Sequence, residues 1–239
     1  PFVHLHNHTQ YSLFDGLTRI PEMVKKAKDL GMPAVAVTDH GNMYGLIHLY
    51  KAAKKEGIKP ILGCEIYMTR GSRFEQKSKE RLCHLILLAK DFRGYQNLVK
   101  IVSKAFVDGE NSYHRPRADF DLLEQYHEGL IALSACIEGQ VQQDILNGNE
   151  MQARQTLERF ISLFGKEDFY LEIQNHGLAE EREVRRVFKD WAEEYGLKLV
   201  ATNDFHYLDK DDAPAQEVKL CISTDRKSTR LNSSHIQKS

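Results

Sequence analysis

The 239-residue chain lacks paired cysteines, a long apolar run and an excess of either charge. Its four cysteines, Cys64, Cys83, Cys136 and Cys221, are scattered without disulfide-like spacing. That points to free thiols in a reducing cytoplasm and away from a stapled secreted fold. No stretch is long or apolar enough to span a bilayer, and none has the make-up of a secretory signal, so no membrane partner is expected. Lys plus Arg number 33 against 34 for Asp plus Glu, with no basic stripe to mark a nucleic-acid surface. Affinity for DNA would have to come from a small site or from bound metal. Internal repeats and low-complexity linkers are missing as far as Thr224.

What the chain does have is eleven histidines, unevenly placed, on an alternating strand-and-helix pattern. Strands are expected at Phe2–Thr9, Ala34–His40, Pro60–Met68, Cys83–Lys90, Leu130–Cys136, Phe169–His176 and Lys198–Tyr207. Helices are expected at Pro21–Leu30, Met43–Glu56, Tyr95–Phe106, Asp119–Tyr126, Met151–Phe164 and Glu180–Tyr195. Thr69–Arg81 reads as a polar excursion and Gly109–Arg117 as a loop. Such alternation predicts an α/β fold with a parallel sheet and crossover helices, either open or closed into a barrel.

The tail Asp225–Ser239 is different in kind, rich in Ser, Arg, Lys and Asn and without periodicity. Its start, DRKSTRLNSSH, resembles the conceptual translation of a sequencing adapter. Residues 225–239 are therefore read as an artefact, with a natural linker as the alternative, and the folded domain as 1–224.

Most of the histidines and several carboxylates fall near predicted strand ends, which in a parallel α/β sheet converge on one face. His6 and His8 are two apart, so a strand would show both on one side, and Asp204 and His206 repeat that spacing. Asp15, His40, Glu65, His84 and Cys136 lie between the two pairs. A single histidine pair is weak, but two pairs with ligand-type residues between them predict a metal site. Imidazole, carboxylate and thiolate suit Zn²⁺, Mn²⁺ or Fe²⁺ better than Ca²⁺. The donors are too many for one tetrahedral ion, so two or three divalent ions are expected.

The segments HNHTQYSLFDG, AVTDHGN, GCEIY, HLILLAKD, LSACIEG, EIQNHGL and ATNDFHY resemble, in order, the polymerase-and-histidinol-phosphatase (PHP) domain. GIKPILGCEIY and LLAKDFRGYQNLVKI are similar in particular to the PHP domain that opens bacterial DNA polymerase III alpha subunits. The resemblance covers Phe2 to Thr224. It implies a distorted seven-stranded (β/α) barrel with the metal site at the C-terminal ends of the strands. It also implies nine ligands, at His6, His8, Asp15, His40, Glu65, His84, Cys136, Asp204 and His206, around two to three ions, Zn²⁺ or Mn²⁺. Asp15 and Cys136 stand where phosphatase-type members tend to have histidine, which favours the polymerase branch over a free-standing histidinol-phosphatase-like enzyme.

The implied activity is metal-dependent 3′-to-5′ exonuclease proofreading, a phosphodiester hydrolysis at the primer 3′ end. His40, Asp204 and His206 would orient the nucleophile as the catalytic residues. The alternative is a structural module that braces the polymerase and docks a separate exonuclease subunit. DNA-directed polymerase chemistry would belong to a parent protein whose polymerase domains follow Thr224, with other replisome subunits as partners. Outside the nine, His4 is read as barrel interior and His176 as a residue near substrate or behind the ligands. His48, His114 and His127 are read as solvated, and Arg19 and Lys90 as loop cations within reach of a phosphate.

Overall fold

The computed structural model describes residues 2–75, 81–108 and 115–224. His114 and the tail 225–239 lie outside them, as do parts of the two expected loops. The strands are short and almost wholly apolar because both faces of the sheet are covered. In β1 (Ala34–Val37), Val35 and Val37 pack under α1 (Ile20–Asp29) and α2 (Leu46–Glu56), while the small Ala36 faces inward. In β3 (Cys83–Ala89), Leu85 and Leu87 join the large outer core, and Ile86 and Leu88 point inward. Helix α1 buries Ile20, Met23, Val24 and Ala27, one stripe at helical spacing.

Among the described residues six strands, completed by β2 (Lys59–Met68), β4 (Leu130–Leu133), β5 (Phe169–Ile173) and β6 (Lys198–Ala201), form one sheet in chain order. It is not all parallel. β1 and β2 run parallel, β3 runs antiparallel to both β2 and β4, and β4, β5 and β6 are again parallel. The sheet curls into a mixed half-barrel. Leu5, Ala36, Ile61, Ile86, Leu133, Tyr170 and Val200 meet inside it, with every strand contributing.

The expected first strand, Phe2–Thr9, does not form a regular ladder. It is an extended segment whose His4 O accepts from Ala36 N (3.0 Å) on one side and whose His8 N donates to Phe205 O (2.9 Å) on the other. An isolated bridge joins Asn7 to Phe205. Most other strands end three to six residues short of the expectation, so His40, Cys136, Asp204 and His206 sit in the turns beyond the ladders.

The outer helices are α3 (Phe92–Val107), α4 (Phe120–Tyr126), α5 (Gln140–Leu146), α6 (Glu150–Phe164) and α7 (Ala179–Tyr195). Asp91 and Asp119 cap α3 and α4, accepting from Gly94 N and Leu122 N. Helix α5 and the last helix, α8 (Ala213–Thr224), were not expected from sequence. Among the described residues no helix is long and apolar enough to cross a membrane.

Candidate metal centre

The turns at one end of the sheet bring all nine sequence-predicted residues into a single cluster. Glu65, fully buried near the end of β2, is its hub. Its Oε1 lies 2.7 Å from His40 Nδ1 and 2.9 Å from His84 Nδ1, and its Oε2 lies 2.8 Å from His6 Nε2. Asp204 Oδ1 approaches His6 Nε2 (3.2 Å) and His8 Nε2 (3.0 Å). Asp15 Oδ2 is 3.1 Å from His40 Nε2 and 3.9 Å from His206 Nε2. Cys136 Sγ stands 3.7 Å from His84 Nδ1. The rings of His8 and His40 stack at 3.9 Å and those of His8 and His206 at 4.4 Å.

The reversal of β3 explains a position that an all-parallel sheet leaves odd. His84 lies at the start of its strand, and because that strand runs the other way its start is level with the ends of its neighbours. It pairs with Tyr67 in β2 and bridges to Gly139. By the same reversal Lys90, at the end of β3, lies away from the cluster and pairs with Asp168 at 2.7 Å.

Local backbone holds the cluster residues in place. Ala135 (φ 70°) and Asp204 (φ 47°) adopt the left-handed region without being glycine, each in a turn that carries a cluster residue. The Ala135 turn is held by Gln142, whose Nε2 donates to the carbonyls of Ser134 (3.0 Å) and Ala135 (2.8 Å). Beneath the N-terminal segment, Asp39 accepts from Thr9 N (2.7 Å), Thr9 Oγ1 (2.8 Å) and Ser12 Oγ (2.7 Å). Ser12 Oγ in turn lies 3.1 Å from His8 Nδ1.

Glu172 is a further residue that sequence reasoning missed as part of the site. Its Oε1 is 2.7 Å from His6 Nδ1, and it also accepts from Gln174 Nε2 (3.0 Å) and from Thr202 Oγ1. An acidic residue inside the apolar run Phe169–Ile173 was the signal available.

The electrostatics are those of imidazoles and carboxylates sharing protons. Burial opposes charge on His6 and His40, yet the carboxylates around them outweigh it and hold both well above the ordinary histidine range. Burial likewise opposes ionisation of Glu65 and Asp204, and the surrounding histidines nonetheless keep both well below the usual carboxylate range. His206 is pushed down to about 4 by burial and by His8. Burial, with Asp204 and Glu65 beside it, holds the Cys136 thiol well up, so ligation by its sulfur requires a cation that displaces the proton.

The donor set fits divalent cations. One ligand atom each from His6, His8, Glu65 and Asp204 lies within 4.8 Å of all the others, and His8, His40 and His206 form a second such group. Asp15 Oδ1 is buried without a hydrogen-bond partner among the described residues, the condition of a donor atom awaiting a cation.

The remaining histidines are elsewhere. His4 packs edge-on against Phe2 and Phe205 and lines a cavity of about 420 Å³ behind the ligand turn, together with α1 residues. His176 touches none of the nine. Its Nδ1 is 2.6 Å from Glu181 Oε1 and its Nε2 donates to Asn203 O (2.8 Å), bracing the turn before Asp204. The hydrogen bond with Glu181 raises its pKa. His48 is exposed against Tyr11, His127 is half-buried, and Arg19 faces Glu22 at 3.9 Å.

Residues 4–176 match the PHP domain family. The chain belongs to the PHP family. It is 44% identical over 226 residues to the DNA polymerase III subunit alpha of Treponema pallidum, covering 93% of this chain and 19% of that protein. The Thermus aquaticus subunit is 46% identical over 229 residues, covering 93% of this chain and 18% of that protein. The chain thus spans about a fifth of the curated relatives it matches, at their N-terminal end. Among solved structures, a Bifidobacterium adolescentis protein described as a metal-dependent phosphoesterase superposes with TM-score 0.54 at 15% identity. That match covers 92% of this chain and 96% of the other and shows the fold alone.

Proposed function

We propose that this PHP domain is the N-terminal part of a bacterial replicative polymerase alpha subunit and that its cluster hydrolyses phosphodiesters at DNA 3′ ends. The observation that carries this reading is the graded exposure of the cluster. His6 and His8 side chains are fully buried and Glu65 is 1% exposed, whereas Asp15 is 21%, His40 and Asp204 17% and His206 13% exposed. The ligands thus have a sealed base and an open rim, as a catalytic site needs and a purely structural one does not.

His6, His8, Glu65, His84 and Cys136 would hold the inner ions, and Asp15, His40, Asp204 and His206 the outer ones, two to three in all, Zn²⁺ or Mn²⁺. When bound, such ions stabilise phosphoryl charge and acidify an attacking water. Around them the chain's own groups do the orienting. His40, Asp204 and His206 set the direction of attack from the open rim, and Glu172 holds the His6 ring from behind. The extended segment 4–9, hydrogen-bonded on both sides, would be the seventh stave that completes the family's barrel. A full-length subunit loaded with Mn²⁺ or Zn²⁺ is expected to release nucleotides from a single-stranded 3′ end, and His8→Ala to reduce that to background. Equal rates in the two proteins would end this reading.

The sealed base also suits the second reading, a structural module that docks a separate exonuclease subunit. That reading is favoured if such a subunit binds the full-length chain and supplies all of the hydrolysis.

A further inference from the structure

At the rim, Arg115 is a cation outside the set of nine residues. Tyr67 follows Glu65 by two in β2, and its ring flanks two cluster histidines, His40 (6.1 Å between centroids, 18° between planes) and His84 (5.3 Å, edge-on). The guanidinium of Arg115 lies over that ring, 4.9 Å from its centroid. Arg115 is exposed, and no carboxylate among the described residues pairs with it.

Its mounting is firm. Ala118 N donates to Tyr67 O and Thr69 N to Ala118 O, both at 2.8 Å, and Arg117 N donates to Ala105 O at 3.1 Å. Pro116 packs on Gly41, the residue after His40, so closely that a Cβ there would come within 2.7 Å of the Pro116 Cγ.

We propose that Arg115 is a phosphate-binding residue that grips the substrate strand at the phosphodiester next to the one being cut. This rests on the phosphodiesterase reading above and sharpens its substrate to a strand with at least two phosphates. An arginine that stacks its guanidinium on an aromatic face keeps the edge of that plane free. Exposed and without a carboxylate partner among the described residues, Arg115 can offer in-plane N–H donors to two oxygens of one phosphate, the geometry at which arginine excels. The rim also presents the carboxylates of Asp15 and Asp204, which would repel a polyanionic strand, so a fixed cation one ring away from His40 and His84 offsets that repulsion where the strand must pass.

The test uses the metal-loaded full-length subunit and a single-stranded oligonucleotide, natural or with a neutral methylphosphonate at the linkage next to the terminal one. Arg115→Ala is expected to raise KM for the natural strand about tenfold, a loss of about 1.4 kcal/mol, and Arg115→Lys to raise it less. The methylphosphonate should raise the wild-type KM by a similar factor and leave Arg115→Ala with no further loss. A non-kinetic readout goes with it. The natural strand should shield Arg115 from phenylglyoxal, read by mass spectrometry, and the methylphosphonate strand should not. If Arg115 only supports Tyr67, Arg115→Ala costs the same with both strands and neither strand shields it, and the proposal is overturned. A wild-type chain that hydrolyses neither strand overturns the phosphodiesterase reading instead, whereas hydrolysis indifferent to Arg115 overturns only this one.

Discussion

At the scale of single residues, Glu172 shows how the cluster depends on groups that touch no ion. It holds His6 Nδ1 at 2.7 Å, which frees Nε2 for the centre and fixes the ring's orientation. Its other oxygen is buried without a partner, so its position rests on Thr202 and Gln174. Glu172→Gln keeps the shape and removes the charge. Affinity for Zn²⁺ or Mn²⁺, read by titration, is expected to fall about 10- to 100-fold with little change in fold. An unchanged affinity would show that His6 needs no such support. The pairs His6/His8 and Asp204/His206 were legible from spacing and ligand chemistry, and the full set of nine from the resemblance to the PHP family. Glu172 and Asp39 were not, because a lone acid in an apolar run gives no sign of its partner until the chain folds.

At the scale of elements, strand content was legible and strand direction was not. An apolar run such as Cys83–Ala89 reads the same in either direction, so the hydrophobic pattern predicted a parallel sheet where β3 runs antiparallel. The early place of His84 in its run was the one clue. Helix α5 escaped notice because Gln140, Gln142, Gln143 and Asp144 look like a surface, yet they are buried. Gln142 and Gln143 spend their amides on the carbonyls of Ser134, Ala135 and Ile137. The turn after β1 makes a sharper test of element packing. Gly41 has φ +61°, and a Cβ would meet both Pro116 and the Tyr67 ring. Gly57, closing α2 at φ +74°, has open space around it. Gly41→Ala should therefore cost about 1–3 kcal/mol or more, and Gly57→Ala about 1 kcal/mol, in denaturant midpoints. Equal costs would mean that the contact with Pro116 is loose.

At the scale of the whole molecule, the cluster is a junction between segments far apart in the chain, and binding there should stabilise the domain. An ion held at a hundred times its Kd adds about 2.7 kcal/mol by linkage. Chelation of the full-length subunit should lower the melting transition of this domain, and Mn²⁺ or Zn²⁺ should restore it, with His8→Ala insensitive to both. A transition that ignores chelator in the wild type would remove the cluster as a metal site. The bridge between Asn7 and Phe205 carries a further consequence, for synthesis. On the ribosome, His6 and His8 emerge first, and Asp204 and His206 only after every strand of the sheet. Contacts of such long sequence separation form late, so the cluster stays half-built until the segment that carries Asp204 and His206 has been made. A cation bound by the cluster would then be captured last in the folding of this domain, a check that all of it has been made.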